Sequence, residues 1–73
     1  MTKLDLISNI LMLGFKLRPN CVATYGLNNT KIYISNITRL IKIYSDSKIV
    51  YVTWNKQYEK VWSKLIKILQ KED

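Results

Sequence analysis

The sequence predicts a single α+β domain over residues 1–73: an N-terminal helix, an antiparallel three- to four-stranded meander and a C-terminal amphipathic helix, in the order α-β-β-β-α, with both helices on one sheet face. Three observations predict it. A helical apolar periodicity opens the chain behind a capping signature, and a stronger one closes it. Between them, β-branched and aromatic residues alternate around Asn-Asn and Asp-Ser turn pairs.

The N-terminal helix starts at a capping box. Thr2 stands at the N-cap and Asp5 at the third helical position, spaced to satisfy each other's backbone N–H groups. The helix is expected from Lys3 to Leu13, with Gly14 as its stop. Leu4, Leu6, Ile7, Ile10, Leu11 and Leu13 fill one broad arc, while Thr2, Asp5, Ser8 and Asn9 fill the other with Met12 among them. A membrane-surface helix normally carries Lys and Arg on its polar face. This Ser/Asn/Asp face points to core packing instead.

Phe15–Asn20 reads as a connector, because Pro19 pushes its predecessor towards extended geometry. Cys21–Leu27 and Lys31–Ile34 then form a hairpin across Asn28-Asn29, with Leu27 opposite Thr30, Tyr25 opposite Ile32 and Thr24 opposite Tyr33. Ser35–Tyr44 fits two templates. Ile37, Leu40, Ile41 and Tyr44 have helical spacing, with Ser35 or Asn36 as cap, whereas Ile37, Thr38, Ile41 and Ile43 are β-branched and favour a strand. The strand reading is adopted.

It gives a second hairpin from Thr38 to Trp54 around Asp46-Ser47. A two-residue turn there sets Ser45 against Lys48, Tyr44 against Ile49, Ile43 against Val50, Ile41 against Val52 and Arg39 against Trp54. Ile41, Ile43, Val50, Val52 and Trp54 then share an inner face. Leu40, Lys42, Tyr44, Ile49, Tyr51 and Thr53 share the outer one. Asn55 caps the last helix, Lys56–Lys71. Its buried stripe is Tyr58, Val61, Trp62, Leu65, Ile68 and Leu69, with Ile66 at the edge, and Lys60, Lys64, Lys67 and Lys71 form a ridge on the far side.

Composition bounds the function. The formal charge of +7 and pI near 9.7 favour an anionic partner. Lys and Ile each occur ten times and Arg twice, a usage that AT-rich coding also produces. No stretch approaches the ~20 apolar residues of a membrane span. Asp5, Ser8 and Asn9 interrupt the first apolar run, and no signal-peptide cleavage site follows it. The expectation is a cytoplasmic protein with no membrane partner.

There is no His, so imidazole bases and Ser-His or Cys-His pairs are excluded. One Cys, Cys21, excludes an internal disulfide and a Cys-rich metal site; inside an apolar run it reads as a small core residue. The carboxylates are spread over a cap, a turn, a helix flank and the last two positions, where no acid/base pair assembles. Gly14 and Gly26 are isolated and form no phosphate-cradling loop. The chain is expected to be no enzyme and to hold no cofactor or metal.

Two surfaces remain as candidate partner-binding sites. One is the sheet's outer face, with Tyr33, Lys42, Tyr44 and Tyr51 beside Lys31, Leu40 and Ile49. Aromatics interleaved with Lys can stack bases or anchor a protein interface. The other is the ridge of Lys60, Lys64, Lys67 and Lys71. It spans ~16 Å at 1.5 Å per residue, enough to follow a few phosphates. A solvated face is the bland reading of either, and Lys67 and Lys71 also complement the helix dipole.

The α-β-β-β-α order is similar to the double-stranded-RNA-binding domain, which grips phosphate with a Lys-rich start to its second helix. The corresponding stretch here is Asn55-Lys56-Gln57-Tyr58-Glu59-Lys60. A capped first helix, a meander and an amphipathic last helix in a minimal AT-rich chain also resemble the short α+β inhibitors that phages and plasmids encode against host defence enzymes, CRISPR inhibitors among them. Those that mimic DNA are acidic; this basic chain implies a different target surface. The expected function is a small, non-enzymatic basic binding module, a regulator or inhibitor from a phage or other mobile element, acting on a protein or nucleoprotein partner. Nucleic-acid binding and a homodimeric accessory subunit are the alternatives.

Overall fold

The computed structural model describes residues 1–19, 23–35, 37–54 and 56–70. Helix α1 (Lys3–Met12) leads into five strands, β1 (Lys16–Leu17), β2 (Thr24–Leu27), β3 (Thr30–Ile34), β4 (Leu40–Ser45) and β5 (Lys48–Trp54), and helix α2 (Tyr58–Gln70) follows. The strands form one antiparallel sheet in the order β1-β2-β3-β4-β5. The predicted α+β order holds. The extra strand is β1, a two-residue piece of the expected connector that pairs Lys16 with Gly26 and Leu17 with Tyr25.

Local chemistry sets the helix ends. The Thr2 N–H donates to Asp5 Oδ2 at 3.0 Å and the Asp5 N–H donates to Thr2 Oγ1 at 3.2 Å, completing the capping box. The Thr2 backbone N–H first, and then the Thr2 side chain, hold the Asp5 carboxyl below the usual carboxylate range. At the other end Gly14 takes φ +108, the Gly14 N–H donates to the Leu11 carbonyl and the Phe15 N–H to the Ile10 carbonyl. That pair of bonds is a Schellman motif, and Phe15 and Ile10 close it by joining the same buried cluster.

Ile32, Ile34, Ile41 and Ile43 project from one sheet face and share a buried cluster with Leu6 and Ile10 of α1, Phe15, and Val61 and Leu65 of α2. Both helices therefore cover that face. Tyr58, Trp62, Ile68 and Leu69 pack against the cluster, as the α2 stripe predicts. The α1 arc is narrower than expected. Leu6 and Ile10 are buried, but Leu4, Leu11 and Leu13 are exposed. Ile7 packs partly buried beside them, so the stripe that meets the core is Leu6, Ile7 and Ile10, the i, i+1, i+4 positions of one helical face.

The first hairpin keeps its predicted register, with Leu27 opposite Thr30, Tyr25 opposite Ile32 and Thr24 opposite Tyr33. Between β3 and β4, Ser35 Oγ accepts from the Ile37 N–H at 3.1 Å and the Thr38 N–H at 2.9 Å, and the Ser35 N–H donates to the Leu40 carbonyl. Ser35 thus caps a tight turn. Arg39 leaves it at φ +60, and β4 starts at Leu40. Cys21 and the predicted cap Asn55 lie outside the described residues.

The second hairpin departs from its predicted register. Asp46 and Ser47 take φ +53 and +67, the signature of a type I′ turn, and Ser45 pairs with Lys48 and Tyr44 with Ile49 as expected. A β-bulge then intervenes. Ile43 pairs with Tyr51, Lys42 with Val52, Ile41 with Thr53 and Leu40 with Trp54. Val50 is the extra residue, and one extra residue turns every later side chain to the opposite face.

A candidate binding face and a lysine-lined edge

The bulge corrects both expected faces of the hairpin. Tyr51 leaves the outer face and packs half-buried against the core, while Val52 and Trp54 leave the inner face for the open one. The expected platform of Tyr33, Tyr44 and Tyr51 therefore does not assemble. The open face is laid out in rows across the strands instead. One row runs Lys16, Gly26, Lys31, Tyr44, Ile49, and the next runs Thr24, Tyr33, Lys42, Val52, with Leu40 and Trp54 beyond.

These rows grade from cationic to apolar. At the β1 side Lys16 is joined by Arg18, whose stem crosses Gly26 so closely that a Cβ there would lie 3.0 Å from Arg18 Cδ. In the middle, Lys31 faces Tyr44 and Lys42 faces Tyr33. Thr24, Lys31, Tyr33, Tyr44 and Ser47 line an open depression of about 430 Å³. At the β5 side Ile49, Val52 and Trp54 are 53%, 47% and 64% exposed. Of the predicted site residues, Tyr33, Lys42 and Tyr44 are brought together here.

Tyr51, Lys60, Lys64 and Lys67 come together elsewhere, at the seam between β5 and α2. With Glu59 and Ser63 they line a second depression of about 360 Å³. Lys64 Nζ stands 6.0 Å from the Tyr51 ring centroid, at the outer limit of a cation–π contact. Lys71, the last member of the predicted ridge, lies outside the described residues.

No protein-family model, curated protein or solved structure matches this chain. Among the described residues no helix is long and apolar enough to cross a membrane.

The residues missed in the sequence are Val52 and Trp54. Both alternate correctly with their neighbours, and the strand is apolar on either side of the alternation, so nothing local marks the face they take. Arg18 was hidden for a different reason: the two-residue β1 is too short to show a period.

Proposed function

We propose that this chain is a small, non-enzymatic binding module that regulates or inhibits a protein or nucleoprotein partner in the cytoplasm. It would be of the anti-defence kind, CRISPR inhibitors included, that phages and other mobile elements encode. One observation carries the reading: among the described residues nothing covers the sheet face away from the helices, which holds exposed Ile49, Val52 and Trp54 and half-buried Leu40 beside Tyr33 and Tyr44. Contiguous apolar surface rimmed by polar groups marks an interaction site, and Trp and Tyr are the side chains that most often anchor one. The absence of His and the scattered carboxylates support a binding role over a catalytic one.

The test is capture of partners by the tagged protein, with and without nuclease, compared with a Tyr44→Ala/Trp54→Ala variant. A partner that survives nuclease and is lost by at least about tenfold in the variant supports the reading. Capture that is indifferent to the variant overturns it.

A second reading has its own observation. Lys16, Arg18, Lys31 and Lys42 share the open face with Tyr33, Tyr44 and Trp54, a set that suits stacking of bases with cations on the phosphates. It requires affinity for single-stranded RNA or DNA that falls with salt by about one log-log slope unit per phosphate neutralised. No binding at low salt removes it.

A further inference from the structure

The two edges of the sheet are built differently. β1 has 2 residues, contains Lys16, and is followed by Arg18 and Pro19. Short length, cations and proline are the usual protections against recruiting another strand. β5 has 7 residues, no proline, and Lys48 as its sole charge. Among the described residues no strand lies beyond it. Ile49, Val50, Val52 and Trp54 along it are exposed. On its helix side the same edge is bordered by Lys60, Lys64 and Lys67 around Tyr51. Glu59 is the anion in that group, and its Oε1 is 3.4 Å from the Met1 amino group.

We propose that β5 is an acceptor edge that takes up an extended acidic segment of a partner protein, with acidic and apolar residues alternating, as an additional strand. Backbone N–H and C=O groups complete the ladder, and the alternating side chains give specificity. Apolar side chains of the incoming strand lie beside Ile49, Val52 and Trp54 on the open face. Its carboxylates lie beside Tyr51 and Thr53 on the helix side. Neighbouring strands are about 4.8 Å apart, so a carboxylate opposite Tyr51 falls within reach of the Lys64 ammonium above that ring. The inference rests on reading the chain as a protein-binding module and names the chemistry of its partner.

Charge decides between the occupants. Two copies paired antiparallel through β5 would carry both α2 helices on one face, either side of the two-fold axis. Lys60, Lys64 and Lys67 of each copy would then confront one another, and each chain has a formal charge of +7. A nucleic-acid strand lacks the amide groups to continue the ladder and has no aliphatic side chains for Val52 and Ile49. An acidic alternating strand meets the backbone, the apolar row and the cations together.

The experiment uses a labelled decapeptide alternating Glu and Val, and a control of the same composition with Glu and Val in separate blocks. Affinity is read by fluorescence anisotropy and location by amide NMR shifts. The alternating peptide should bind at least about tenfold more tightly than the control, and a Lys60→Gln/Lys64→Gln/Lys67→Gln variant should lose about tenfold. The largest shifts should fall in β5. Equal binding of the two peptides overturns the proposal, because charge alone then explains it, and so does no binding of either. Shifts centred on Tyr33 and Tyr44 overturn the acceptor edge but leave the open-face module standing. Sedimentation of the free protein as a β5-linked dimer overturns it in favour of a second copy. Displacement of the peptide from β5 by a single-stranded oligonucleotide overturns it in favour of nucleic acid.

Discussion

The Lys64 ammonium lies 6.0 Å from the centre of the Tyr51 ring, across the seam where α2 meets the sheet's edge strand. The contact exists because Ile43 pairs with Tyr51, which turns that ring towards the helix layer. An exposed cation at this distance contributes about 0.5 kcal/mol or less, while the ring's packing against the core contributes more. Urea denaturation should separate the two effects. Lys64→Gln and Tyr51→Phe are each expected to cost under about 0.5 kcal/mol, and Tyr51→Ala about 1.5–3 kcal/mol. A Tyr51→Ala protein as stable as the parent would mean that Tyr51 faces solvent.

The register of the second hairpin has its own signature. Ile43 is buried and Val52 is exposed on the open face. Ile43→Ala should cost about 2–5 kcal/mol, a large part of the ~5–10 kcal/mol a domain of this size has. Val52→Thr should change stability by less than about 0.5 kcal/mol, the usual range for a surface position. A large loss from Val52→Thr would restore the unbulged pairing.

The capping box predicts a pH effect of definite sign. The Asp5 carboxyl is held low by the Thr2 backbone N–H, then by the Thr2 side chain. A lowered folded-state pKa contributes stability that is fully present above the ordinary carboxylate pKa and is lost as pH falls through the lowered value. Asp5→Asn should therefore be less stable than the parent at neutral pH, and the gap should close in acid. Thermal melts of both proteins across the acid range check this, and a gap that widens in acid would contradict it.

Gly14 ends α1 at φ +108, a conformation that a side chain makes costly. Gly14→Ala should cost about 1 kcal/mol or more although the nearest atom to the new methyl, Leu27 Cδ1, stands at an ordinary 3.6 Å. Hydrogen exchange in the last turn of α1 should rise with it. An unchanged denaturation midpoint would show that the Schellman bonds form without glycine.

Much of the architecture was legible because it is written in short-range signals. The Thr2/Asp5 box, the Gly14 stop, the Asp46-Ser47 turn and the α2 stripe each need only neighbours within a few positions. The same held for the candidate site where it depended on one strand at a time, so Tyr33 and Tyr44 stand on one face with Lys42. It failed for Tyr51, Val52 and Trp54, whose faces depend on how two strands slide past each other.

The sequence by itself determined the two helices, the hairpin turns, the α+β order and the amphipathic faces of β3 and α2, since periodicity and turn chemistry are local. That Leu40–Ser45 is a strand and not a helix, and that Lys16–Leu17 pairs at all, came from sheet pairing. Only the tertiary structure decided which face β5 presents. Strand side chains repeat with period two, so the single unpaired Val50 reverses all that follow, and Ile49, Val50 and Val52 are apolar on both sides of that choice. Packing against α2 decides it: Tyr51 goes in with Lys64 above it, Trp54 stays out, and the edge that results is apolar on one side and lined with lysine on the other.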